Sequence, residues 1–422
     1  VFTLDGTKDR YLDNMQASQR TKATMKVKLT TLIAVSAIAI ATGVVISGTS
    51  LPLISSEETE PEKPEALPQI ETIFVALDQE VVPVPVERSG NGGALVSLGD
   101  DLIVMTHEGG FFDVTGDTAQ PLTIAPPDNG WDDMLAFEAA NPAYNFAHFY
   151  FRYNDVDIFE DQMIVSFTQW VADQDCYRTT VAAADLSGAQ TAGDMTVSQD
   201  DWRIIFATEP CLEPQSVGRA INGHMAGGRF RVAQDGTIYL AAGDYAIDGT
   251  YAPVALSQDP NATYGKILAI DLETGAFETV SQGHSNMQGI VIDKQNTIYA
   301  VAHGRRGGDE LNRIEVGKDY GWPQVSLGTR YNRLPLQSAI EYGRHPIFEA
   351  PIYSWLPSVA ISSLTQIDEF HPAWDGDLLA GSLRAQTLFR IRMRDGRVLF
   401  NERIELDSRI RYVHQHGDYI AL

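Results

Sequence analysis

Two polar, glycine-rich loops and the pair Arg409 and Arg411 are the features whose residue types and spacing best suit chemistry. Two arginines at i and i+2 of an extended segment point to one side and can grip an anion together. Asn286 and Gln288 stand in the loop GHSNMQG at 283–289, and a second glycine-rich loop, HGRRGGDE, spans 303–310. Such loops hold backbone N–H and C=O groups open to a ligand.

These groups need a scaffold. GIVID (289–293) and TIYAVA (297–302) alternate apolar residues about a turn at 294–296, which reads as strand–turn–strand. The same unit recurs at 94–107, 157–170, 229–244, 289–304, 363–383 and 409–422. The spacing, mostly roughly 45–75 residues, is that of one four-stranded propeller blade with its loops. Between them, 264–280 and 387–406 are hairpins turning at Thr-Gly and Asp-Gly. No amphipathic helix is expected from residue 70 onward. Radial repetition predicts an all-β, six-bladed β-propeller of four-stranded blades over 70–422, with its site at one mouth of the central channel. A pair of β-sandwiches would leave six similar units unexplained.

The 422-residue chain carries 56 acidic against 31 basic residues, a formal net charge of −25. This excludes a nucleic-acid binder, which needs a basic face, and points to an acidic, solvated surface. Arg20, Lys22, Lys26 and Lys28 precede an apolar run over 29–54, read as a signal peptide or membrane anchor behind a cytoplasmic segment 1–28. The Glu/Pro-rich stretch 55–69 reads as a tether. Residues 55–422 are then expected in the periplasm or outside the cell. In an exported chain the two cysteines, Cys176 and Cys211, are expected to form a disulfide. The last residues, GDYIAL, read as stopping part-way through a strand, so a truncated C-terminus is expected.

GHSNMQG, then HGRRGGDE, then Tyr320–Gly–Trp–Pro at matching spacing resemble the quinoprotein glucose/sorbosone dehydrogenase family, over roughly residues 90–422. The resemblance implies a six-bladed propeller that oxidises an aldose with pyrroloquinoline quinone (PQQ) and Ca²⁺, and passes electrons to an acceptor. It assigns His224 as base and Asp244 as its neighbouring acid, although gapless counting back from Arg229 puts Met225 at the base position. It gives Asn286, Gly304, Ser358, Arg384, Arg409 and Arg411 to the cofactor, with Arg384 replacing a lysine. Trp131, Gln288, Tyr353 and Trp355 fall to the substrate, Trp131 standing where the family has glutamine. Gly304, Arg305, Glu310 and Tyr320 fall to metal ions, and Arg305 replaces a proline. Ser285 stands where the glucose enzymes have arginine.

The departures fall on the site more than on the frame. Two functions are compatible with them: a tethered PQQ-dependent sugar dehydrogenase, or a propeller of the same ancestry that has lost PQQ and binds a glycan or protein. A calcium-dependent lactonase-like hydrolase has only the Asp309–Glu310 turn behind it.

Overall fold

The computed structural model describes residues 67–86, 92–146, 148–215, 222–250 and 254–422, with the backbone of Met25–Lys28. The apolar run 29–54, most of the tether and residues 1–24 lie outside the described residues. Among the described residues no helix is long and apolar enough to cross a membrane.

Antiparallel sheets follow one another along the chain and stand around a ring. Blade 1 spans 93–121, blade 2 spans 153–207, and blade 3 spans 227–282 with a fifth strand at Lys318–Asp319. Blade 4 spans 286–314 and takes its outermost strand from Tyr353–Trp355; blade 5 spans 361–405. Their first strands line the ring, each packed on the next: Gly93–Leu98, Tyr153–Phe159, Gly227–Val232, Asn286–Ile292 and Ile361–Gln366.

Among the described residues there are five blades, not the six expected. The sixth sequence unit supplies only the hairpin His414–His416/Tyr419–Ala421, whose first strand packs against both Ile361–Gln366 and Gly93–Leu98 and fills the gap. Beside it lies a separate small sheet, in which Ala76–Glu80 pairs with Ile70–Glu71 and, in parallel, with Met25–Lys28. That pairing places Met25–Lys28, part of the segment 1–28, alongside Ala76–Glu80. An unpaired strand edge recruits whatever backbone can reach it.

Turn chemistry fixes the hairpins. The Asp293 carboxylate accepts N–H bonds from Gln295 and Thr297 at 2.8 and 2.7 Å, closing the turn between GIVID and TIYAVA. The core lies between the blades rather than inside any one. Ile164, Val181 and Phe206 of blade 2 meet Phe230, Leu240 and Leu268 of blade 3, and equivalent layers separate blades 3 and 4 and blades 4 and 5. Blade faces are therefore apolar on both sides, as the alternating sequence requires for stacked sheets.

One helix departs from expectation. Helix α1, Trp131–Ala140, sits between blades 1 and 2. Only Met134 of it is fully buried, so it carries too narrow an apolar stripe to read as amphipathic. It starts after Gly130, where a Cβ would lie 2.4 Å from the Trp170 carbonyl oxygen, and Asp132 and Asp133 favour its N-terminus. Cys176 and Cys211 are joined by a disulfide that ties the third strand of blade 2 to the loop beyond its fourth.

Candidate active site

The loops that enter the first strands of the blades converge on a cavity of about 630 Å³ at one mouth of the channel. Blade 2 brings Arg152 and blade 3 the turn Gly223–Ala226. Blade 4 brings Asn286 and Gln288, then His303, Gly304 and Arg305 from the end of its second strand. The segment before the closing hairpin brings Arg409 and Arg411. An insertion between blade 4's third and fourth strands adds Arg330, Tyr331 and Asn332 at the rim.

The turn carrying His224 is fixed by backbone contact. Gly243 N–H donates to the Ala226 carbonyl at 2.8 Å, and Tyr245 N–H to that of Met225 at 3.2 Å. Residue 243 must be glycine, because a Cβ there would lie 2.0 Å from the Met225 oxygen. Met225 itself has φ 62°. Strand alternation does not operate through such a turn, so His224 and Met225 both reach the cavity wall. The His224 ring packs against Tyr150, with centroids 4.6 Å apart. Burial, then the charges of Arg305, His303 and Arg152, lower its pKa to about 4. At neutral pH the imidazole is therefore uncharged, the form that accepts a proton.

The cavity also carries a cationic cluster. Arg409 and Arg411 face the cavity while Ile410 between them is buried in the core. The Arg411 guanidinium donates to Gln288 Oε1 at 3.4 Å, and Gln288 Nε2 donates to Asn286 Oδ1 at 2.8 Å. Arg411 Nε is buried and has no partner among the described residues. Burial and the charges of Arg152, Arg229 and Arg409 hold the Arg411 pKa well below the ordinary guanidinium value. Arg152, whose Nε donates to Asn154 at 3.1 Å, is lowered to about 10, by burial and then by Arg229. Positive charges crowded in this way favour an anion among them.

Arg305 is accounted for separately. It is paired with buried Asp248 and lies over Trp322, 5.6 Å from the ring centroid. Trp322 Nε1 donates to Asp244 at 2.6 Å. Asp244 is fully buried behind the cavity wall, and burial and Asp248 raise its pKa to about 7. It braces the wall rather than lining it. Asp309 is a structural hub: its carboxylate accepts from Gly304 N–H and the Ser358 hydroxyl, both at 2.8 Å, and from Val359 N–H at 2.8 Å. That bonding holds the Gly304 loop in place.

Several residues given a role from sequence stand elsewhere. Ser358 spends its hydroxyl on Asp309 and is not in the wall. Trp355 is buried between Tyr353 and Phe389, so it is a core tryptophan and not a platform; the Tyr353 hydroxyl accepts from Asn401. Trp131 starts helix α1 and packs edge-on against His148, 5.6 Å away. Arg384 is exposed and outside the cavity.

The metal set does not converge. Arg305 turns to Asp248, Glu310 accepts from Asn312 at 3.2 Å, and Tyr320 stacks on His284 at 4.6 Å. Among the described residues no three His, Cys, Asp or Glu side chains could hold a metal ion together. Sequence reasoning missed Arg152, His303 and Arg330. His303 opens the HGRRGGDE loop, the one signal that pointed to it.

A family model for glucose/sorbosone dehydrogenase matches residues 156–421. The chain belongs to the glucose/sorbosone dehydrogenase family. Proteins it resembles include an uncharacterized protein of Synechocystis sp., 30% identical over 288 residues, and aldose sugar dehydrogenase YliI of Escherichia coli, 29% identical over 239. These matches cover 62% and 52% of this chain, and 64% and 59% of the relatives. The chain thus matches less than two thirds of the length of either curated relative. Among solved structures, the soluble aldose sugar dehydrogenase of E. coli in its apo form superposes with a TM-score of 0.61 at 23% identity. That superposition covers 78% of this chain and 91% of the other, and it establishes the shared propeller fold. The family is one of oxidoreductases acting on sugars.

Proposed function

We propose that the protein oxidises an aldose or related sugar alcohol group, using PQQ bound in the cavity and passing electrons to an external acceptor. The observation that carries this reading is the pairing, in one cavity, of a neutral His224 with the clustered guanidiniums of Arg152, Arg409 and Arg411. A solved aldose sugar dehydrogenase from Streptomyces coelicolor, of related fold (TM-score 0.52), is described as PQQ-bound.

The residues present fit a flat tricarboxylate. Arg411 has a buried donor without a partner among the described residues, and Arg152 and Arg409 stand beside it. Asn286, Gln288 and the backbone at Gly304 add neutral polar groups. When bound, PQQ supplies the two-electron acceptor. The chain's own residues do the rest. His224 takes the proton from the sugar hydroxyl, and Tyr150 holds its ring from one side. Asp248 keeps Arg305 against the wall, so that its charge does not stand free beside the base. Among the described residues no three His, Cys, Asp or Glu side chains converge to hold Ca²⁺, and no step is assigned to a metal ion. An extracytoplasmic location is part of this reading and rests on the Cys176–Cys211 disulfide.

The test is a PQQ titration of the purified protein with millimolar Ca²⁺, followed by absorbance and by dye reduction with a sugar panel. Saturable binding with turnover supports the reading, and His224→Ala then abolishes turnover but not binding. Absence of binding at any concentration overturns it in favour of a propeller that binds another ligand.

A further inference from the structure

The cavity holds more positive charge than a tricarboxylate needs. Acids outnumber bases in the chain 56 to 31, yet every Lys, Arg, Asp or Glu among the described lining residues is an arginine: 152, 305, 330, 409 and 411. Arg305 is neutralised by Asp248. Arg152, Arg409 and Arg411 form the cluster matched to the cofactor's three carboxylates. Arg330 is left over.

Its position is defined. The loop carrying it is tied down where Thr329 N–H donates to the Arg306 carbonyl at 3.2 Å, and it closes on itself where Arg330 N–H donates to the Leu334 carbonyl at 2.9 Å. The Arg330 guanidinium is half-buried on the cavity side of the rim and makes no hydrogen bond or ion pair among the described residues. Neighbouring Tyr331 and Asn332 line the same rim. A guanidinium fork beside an aromatic and an amide suits a sugar that carries its own anion, which Arg can bind through two parallel N–H bonds.

We infer that Arg330 selects an anionic sugar, with a carboxylate or phosphate at the end away from the reacting hydroxyl, in preference to a neutral aldose. This inference rests on the proposed function. The reacting hydroxyl then faces His224, and the anion faces the rim.

The experiment compares glucuronate, glucose 6-phosphate and glucose on the PQQ-loaded protein. Dye reduction gives kcat/KM, and calorimetry gives binding to the same protein without dye. A carboxylate or a phosphate source is distinguished by which of the two acids leads. The expected result is a higher kcat/KM for at least one acid than for glucose. Arg330→Met lowers the acid-to-glucose ratio by about 10- to 100-fold, the loss of one charge-assisted contact, and Arg330→Lys restores part of it. Arg344→Met, on the same insertion but paired with Glu341 outside the cavity, keeps the ratio. Turnover of glucose with no preference for either acid overturns the inference and leaves the dehydrogenase reading standing. If no sugar is turned over, the dehydrogenase reading fails. Arg330-dependent binding of an acid then still supports the inference, and absence of such binding overturns it.

Discussion

His224 decides how the site responds to pH. Its pKa is lowered to about 4, so the proton-accepting form is present above that value and lost as pH falls through it. The pH profile of kcat/KM should therefore rise through about 4 and level off toward neutrality. A kcat/KM that His224→Ala leaves unchanged across this range would show that His224 is not the base. Arg411 is the second residue with a sharp expectation. Its neighbours' charges make it costly to hold, and an anion relieves that cost. Arg411→Met should weaken PQQ binding by about 10- to 100-fold, measured by absorbance titration. It should also reduce the salt dependence of binding, because one fewer charge meets the ligand.

Among the elements, blade 2 owes its outer edge to the disulfide. The Cys176–Cys211 bridge closes a loop of sequence separation 35. By the loop-entropy relation this is worth about 3–4 kcal/mol. The double variant Cys176→Ala/Cys211→Ala should show an unfolding free energy, from denaturant titration, lower by that amount, and the sheet order of the other blades should survive. The elements also show how far the sequence could be read. Strand alternation and turn residues identified the blades, and the motifs shared with the family pointed to His224, Asn286, Gln288, Gly304, Arg305, Arg409 and Arg411, which line one cavity. Motif matching failed where side-chain direction is set by packing. Tyr353 and Trp355 lie on the short outermost strand of blade 4, whose edge pairing turns them into the layer beside Phe389. Ser358 was legible as a polar loop residue, but nothing local showed that Asp309 would claim its hydroxyl. Arg152 was illegible because its role depends on three arginines distant in sequence.

Across the whole molecule, buried ionisable groups pull stability in opposite directions. Glu310 is raised from 4.5 to about 7, mainly by burial. The folded state therefore keeps a proton that the unfolded state has lost, and the stability this group contributes falls as pH rises from about 4.5 through 7. His224, His284 and His414 are lowered to about 4, 3 and 3, so they withdraw stability as pH falls below 6.5. Glu310→Gln should raise the melting temperature at pH 8 and leave it unchanged at pH 4. An equal effect at both values would assign it to packing instead of ionisation. The blade count belongs to this scale too. Six sequence units predicted six blades, and the sixth unit gives a two-stranded hairpin wedged between blades 1 and 5.

That hairpin makes the ring's closure and its chemistry one problem. Arg409 and Arg411 lie immediately before it. The same segment is held across the channel by the Tyr412 hydroxyl donating to Asp155 at 2.6 Å and by Arg229 donating to the Arg411 carbonyl at 3.4 Å. A ligand gripped by Arg152 on one side and Arg409 and Arg411 on the other spans the seam like a keystone. Loading the cavity should therefore slow hydrogen exchange at the amides of His414–His416 and Tyr419–Ala421 by the factor that binding lends to the closed state. Strand Thr237–Ala242, away from the seam, should exchange at its unliganded rate.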